Sequence, residues 1–118
     1  MYITGLDHVQ LAIPPGKEDE ARHFYSGLLG LTEVAKPAAL VPRGGCWFEG
    51  AGTFLHLGVQ DDFLPARKAH PAFLVADLQR LREILAAAGV PITPDNTLPG
   101  VKRFYAADPF GNRLEFIQ

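Results

Sequence analysis

Residues 8–16 read His8-Val9-Gln10-Leu11-Ala12-Ile13-Pro14-Pro15-Gly16. Val9, Leu11 and Ile13 fall on one side of an extended chain, and His8, Gln10 and Ala12 on the other. That is the alternation of a half-buried strand. Pro14 and Pro15 end it, because proline brings no amide to a ladder, and Gly16 lets the chain turn. Working outward, the apolar spacing changes from two to three and four. Ala21, Phe24, Tyr25, Leu28 and Leu29 form one stripe, which predicts a helix over 17–29 closed by Gly30. A short strand over 31–34 and a proline- and glycine-broken loop over 35–45 follow. A hairpin of strands 46–49 and 53–59 then turns at Gly50-Ala51-Gly52.

After a polar connector over 60–69, the same order returns. His70 opens a strand over 71–75, and Asp77 is placed to cap a helix over 78–88 whose stripe is Leu78, Leu81, Ile84 and Leu85. Gly89 stops that helix. A strand over 90–93, a loop over 94–100, and strands over 103–107 and 113–118 about the turn Asp108-Pro109-Phe110-Gly111-Asn112 complete the chain. His70 lies 62 residues after His8, and Glu115 lies 59 after His56. A period this long means two copies of one βαβββ unit rather than a solenoid. The expectation is an α+β fold: one domain, 1–118, made of two modules, about 1–60 and 70–118. Their half-sheets can pair edge to edge and curl around a cleft.

The 118 residues suffice for one core. Hydrophobic residues at 47% and charged residues at 20% are the balance of a soluble globular protein, while 12 Gly and 10 Pro favour many turns and short strands. Eleven Lys and Arg against 13 Asp and Glu leave no basic excess for a phosphate backbone, so no nucleic-acid partner is expected. No apolar run approaches the roughly 18 residues that span a bilayer. The first ten residues carry no basic n-region, so no secretory leader is expected. The single cysteine, Cys46, excludes an intrachain disulfide and fits the reducing cytoplasm; it reads as a small buried apolar residue.

Four polar residues occupy equivalent places in the two halves. His8 and His70 stand at the first strands. His56 and Glu115 stand in the last strands as Leu55-His56-Leu57 and Leu114-Glu115-Phe116. Alternation turns the apolar flanks to one face and His56 or Glu115 to the other. Imidazole and carboxylate together suit Mn, Fe, Co, Ni or Zn, and a site with open positions is a catalytic one. The alternative is structural: strand histidines satisfied by neighbours, and Glu115 paired with Arg113 or Arg103. Arg103 and Arg113, with Arg43 and Lys102, can serve an anionic substrate or be solvated. Of Trp47 and Phe48, alternation lets only one face a cleft.

Three segments carry a family resemblance. They are Gly5-Leu6-Asp7-His8-Val9-Gln10-Leu11-Ala12-Ile13, then Phe24-Tyr25-Ser26-Gly27-Leu28-Leu29-Gly30-Leu31, then Asp108-Pro109-Phe110-Gly111-Asn112-Arg113-Leu114-Glu115. With them the whole chain resembles the vicinal oxygen chelate, or glyoxalase/bleomycin resistance/extradiol dioxygenase, superfamily in its small single-domain bacterial type. The resemblance implies an eight-stranded, half-open barrel-like sheet. It implies a divalent metal ion (Mn, Fe, Ni or Zn) held by His8, His70 and Glu115, with His56 as a fourth ligand or an acid/base. His56 stands where glyoxalase I enzymes usually carry glutamate, so the two-carboxylate arrangement of methylglyoxal isomerisation is absent. Tyr105 matches an aromatic hydroxyl that often contacts substrate. The catalytic candidates are thus His56, Glu115 and Tyr105, and the substrate-binding candidates Arg103, Trp47 and Arg113.

The activity implied is that of a metal-dependent lyase, isomerase, transferase or dioxygenase that chelates vicinal oxygens of a small substrate and stabilises an enolate or oxyanion. The other reading is a metal-free protein of the same fold that binds an antibiotic. A cytoplasmic homodimer is expected.

Overall fold

The computed structural model describes residues 1–118. The chain divides into two compact units, Met1–Phe63 and Leu64–Gln118. In the first, β1 (Val9–Ile13) leads to the helix α1 (Glu18–Arg22), and β2 (Thr32–Val34), β3 (Cys46–Gly50) and β4 (Thr53–Val59) follow. The second repeats this with β5 (Ala72–Leu74), α2 (Leu78–Ala87), β6 (Ile92–Pro94), β7 (Arg103–Ala107) and β8 (Arg113–Ile117). Each unit holds its own four-stranded mixed sheet, in the orders β1-β4-β3-β2 and β5-β8-β7-β6. In both, the first and last strands pair in parallel and the other neighbours are antiparallel. The α+β class and the βαβββ plan are as the alternation implied.

The apolar half of each pattern makes the core. In the first unit Ile13, Leu55, Leu57, Cys46 and Phe48 are buried with Ala21, Phe24 and Tyr25. In the second, Phe104, Ala106, Leu114 and Phe116 are buried with Leu85 of α2. Asp77 caps α2 as expected, its carboxylate accepting the Arg80 amide at 3.0 Å. Asp108 folds the β7–β8 turn around itself. One carboxylate oxygen accepts the amides of Phe110 and Asn112, and the other accepts the Asn112 side-chain amide, at 2.8–2.9 Å.

Three local departures have physical reasons. The first helix is α-helical only over Glu18–Arg22 and continues as a π-helical turn over His23–Leu28. The apolar stripe is served by either winding, so spacing does not separate them. The stretch expected as loop contains a 3₁₀ helix, Ala38–Arg43, too short and too exposed to leave a periodic signature. The strand expected over 90–93 is shifted to Ile92–Pro94, because its register follows β7, where Thr93 lies opposite Tyr105.

After the 3₁₀ helix the chain passes so close to β4 that a Cβ at Gly45 would overlap the Leu57 carbonyl oxygen. Gly45 also has φ +82°, a left-handed conformation that costs other residues energy.

Candidate functional site

In the first unit, β4 and β3 place His56 opposite Trp47, and β1 places Gln10 on the other side of His56. Alternation sends Phe48 into the core and Trp47 to the polar face. The Trp47 and His56 rings stack with centroids 3.7 Å apart and planes 1° apart. His8, just before β1, stacks on the far side of His56 at 4.0 Å and 23°. Its Nδ1 lies 2.8 Å from the Asp7 carboxylate. His56 is thus the middle ring of three. Burial, then the nearby His8, holds its pKa below the ordinary histidine value, so it is the neutral, stackable form that is favoured. Imidazole lone pairs lie in the ring plane. Near-parallel stacked rings therefore present them side by side rather than converging on one ion.

The second unit arranges the matching positions differently. Tyr105 lies opposite Glu115 across the β7–β8 pair, and Ala72 flanks Glu115 from β5. His70, two residues before Ala72, therefore falls on the same face. Its Nε2 is 2.9 Å from Glu115 Oε1, and its Nδ1 is 2.8 Å from the Lys68 carbonyl oxygen. The other carboxylate oxygen, Oε2, is 3.4 Å from Arg103. Tyr105 stands across the β7–β8 pair from the carboxylate, and its ring meets His70 edge-on at 5.3 Å. Glu115 is only 5% exposed. Burial pushes its carboxyl up, but the neighbouring His70, Tyr105 and Arg103 outweigh this and hold it below the ordinary value. It is therefore an anion at neutral pH.

The His70–Glu115 contact has a definite requirement. A carbonyl oxygen only accepts, so Nδ1 carries the proton that faces Lys68. Nε2 of a neutral ring would then set a lone pair against an ionised carboxylate. The contact is attractive only when a proton or a metal ion sits between the two atoms. Metal–nitrogen and metal–oxygen bonds of ~2.0–2.2 Å at a right angle would separate the two donors by about 3 Å, so the pair fits adjacent ligands of one ion. The Lys68 carbonyl does what a partner of a ligating histidine does: it fixes the tautomer and the ring plane. Within neither unit do three His, Cys, Asp or Glu side chains gather around one point.

Arg103 and Arg113 part company. Arg103 is anchored at 3.1 Å to Asp95 and at 3.3 Å to Thr97 while it reaches Glu115. Arg113 makes no ion pair and lies over the Tyr105 ring, 4.2 Å from its centroid. Asp95 was not visible as a site residue. The signal for it is the Asp95-Asn96-Thr97 spacing. The Asp95 carboxylate accepts both the amide and the hydroxyl of Thr97, which lowers its pKa and turns its other oxygen to Arg103. Cys46 is buried as expected. Burial, with Glu33 nearby, pushes its thiol up to about 11, so it is no nucleophile at neutral pH.

The Glyoxalase/Bleomycin resistance protein/Dioxygenase superfamily model matches residues 5–116. A glyoxalase family protein from Bacillus anthracis is 47% identical, with a TM-score of 0.95 over 99% of this chain and 96% of that one. The fosfomycin resistance protein FosX from Listeria monocytogenes, in a structure complexed with Mn(II) and sulfate, shares the fold at 18% identity. Its TM-score is 0.78, over 98% of this chain and 90% of that one. A glyoxalase family protein from Enterococcus faecalis is 20% identical, with a TM-score of 0.78 over the whole of both chains. None of the curated proteins matches the chain. No helix is long and apolar enough to cross a membrane.

Proposed function

The chain belongs to the Glyoxalase/Bleomycin resistance protein/Dioxygenase superfamily, and from that premise we propose that it is a metal-dependent enzyme acting on a small, oxygen-rich substrate. The observation that carries this reading is the His70–Glu115 pair, which faces two ligand atoms 2.9 Å apart with the tautomer already set. The Mn(II) of the FosX structure supports a divalent ion in this fold.

His70 and Glu115, both of the second unit, would hold the ion. When bound, a divalent ion chelates neighbouring substrate oxygens and stabilises negative charge that develops on them. The chain's own residues do the rest. Arg103, fixed by Asp95 and Thr97, holds Glu115 Oε2 and leaves Oε1 toward His70. Tyr105 stands on the same face as Glu115, opposite it on the paired strand, and helps to keep its carboxyl ionised. His56, neutral near pH 7 and free to take a proton, is the acid/base candidate. A homodimer is part of the same proposal and has the family resemblance as its support.

Elemental analysis of untagged protein purified without chelator tests the reading. The expected result is about one transition metal per chain in the wild type and a large loss in His70→Ala and in Glu115→Ala. Protein that stays empty, and whose melting temperature titrated Mn, Fe, Ni and Zn leave unchanged, would overturn it in favour of metal-free binding of an antibiotic-like molecule.

A further inference from the structure

The second unit contains a cleft of about 380 Å³ beside Tyr105, and its lining includes Pro65, Arg67, Pro91, Thr93 and Arg113. That volume lies at the small end of ligand pockets. No acidic side chain lines it. The five carboxylates of this unit are already committed: Glu115 to His70 and Arg103, Asp95 to Arg103 and Thr97, Asp77 to the Arg80 amide, Glu83 to the Arg80 side chain, and Asp108 to the amides of its own turn. Arg80 and Arg103 of this unit have carboxylate partners, whereas Arg67 and Arg113 have none.

Arg113 is held without being neutralised, because the Tyr105 ring supports its guanidinium face and leaves its N–H edge free. At one end of the cleft Pro65 packs against Gly111, where an added Cβ would stand 3.1 Å from the proline ring. The wall is thereby fixed and apolar. Two uncompensated guanidinium groups and proline walls describe a receptor for a molecule with an anionic head and a short apolar body.

We propose that this cleft binds a small organic anion, its carboxylate, phosphate or phosphonate oxygens on Arg113 and Arg67 and its apolar part against Pro65 and Pro91. The proposal deepens the enzyme reading, since Arg113 and Tyr105 would bring such a substrate beside Glu115. Arginine recognises planar carboxylates and tetrahedral phosphorus oxyanions by the same paired N–H donors, so the head group is left to the experiment.

The test uses chelator-treated protein, so that failure of the metal reading leaves it untouched. Butyrate, propylphosphonate and uncharged butyramide are titrated against the ¹⁵N-labelled 118-residue chain. The two anions are expected to shift the amides of Thr93, Tyr105, Ala107 and Gly111 saturably, with binding that weakens as salt is raised. Arg113→Gln should weaken the better anion at least tenfold, and Arg67→Gln, at an exposed position where folding is not at stake, several-fold. Arg82→Gln, on the exposed face of α2, should bind like the wild type. Stronger binding of propylphosphonate would assign a phosphorus oxyanion head, and stronger binding of butyrate a carboxylate. Equal shifts from butyramide, or unchanged affinity in both Arg67→Gln and Arg113→Gln, would overturn the proposal.

Discussion

The two modules share strand order, strand directions and the placement of their central polar residue, yet their polar faces are built from different forces. Around His56 the first unit stacks three rings, His8, His56 and Trp47, with no ion pair among them. Around Glu115 the second unit ties His70, Tyr105, Arg103 and Asp95 into a charged network. The core faces explain the shared topology, since Leu55 and Leu57 correspond to Leu114 and Phe116 and all four are buried. One face of the repeat therefore specifies the fold, and the other is free to diverge. A stack tolerates loss of one ring; a buried charge network does not tolerate loss of one partner.

The sharpest way to break this comparison is to truncate both central residues. Glu115→Ala leaves Arg103 with only one of its two carboxylates and His70 without its partner. It should destabilise the protein by about 3 kcal/mol or more, the cost of removing one member of a buried ion pair. His56→Ala removes stacking alone and should cost about 1 kcal/mol. Urea denaturation of both variants checks the ratio, and equal losses would mean that the two faces are energetically alike.

A second difference is expected in acid. The folded pKa of Glu115 lies below its ordinary value of 4.5. Its contribution to stability is therefore complete above about pH 4.5 and is lost as the pH falls through the folded value. Glu115→Gln should flatten the part of the acid limb below about pH 4.5, while His56→Gln should leave that part as it is and remove only the loss that sets in below about pH 6.5, where the depressed His56 is the group that resists its proton. Thermal melts between pH 3 and 7 would show it.

The smallest effect concerns the two hairpin turns. The β7–β8 turn is held by the buried Asp108, whereas the β3–β4 turn places Ala51 at φ 49°, the one non-glycine residue with positive φ. Ala51→Gly should stabilise the protein by up to about 1 kcal/mol by relieving that conformation. A melting temperature that does not rise would show that the first turn is as well adapted as the second.

Much of the architecture could be read from residues alone. The Val9-Leu11-Ile13 alternation, the stops at Gly30 and Gly89 and the Asp77 cap are local signals that the packing reinforces. Alternation could likewise turn Glu115 away from its buried flanks Leu114 and Phe116, whereas Tyr105 entered only through the family resemblance. Which arginine held Glu115 could not be read, because Arg103 and Arg113 have the same parity on paired strands. The decision is made by Asp95 in a loop without periodicity. The stack of His8 on His56 was equally hidden, since it depends on ring orientation and not on register.

Gly45 carries a consequence for anyone recoding this protein. Most substitutions can be absorbed by a side chain swinging aside, but here the obstacle is the Leu57 carbonyl of a central strand, which cannot move without unpairing β3 from β4. In a library of variants selected only for expression, this codon should stay invariant while its neighbours in 35–43 drift. That would mark a ceiling on sequence diversity imposed by main chain meeting main chain, with no part in any chemistry.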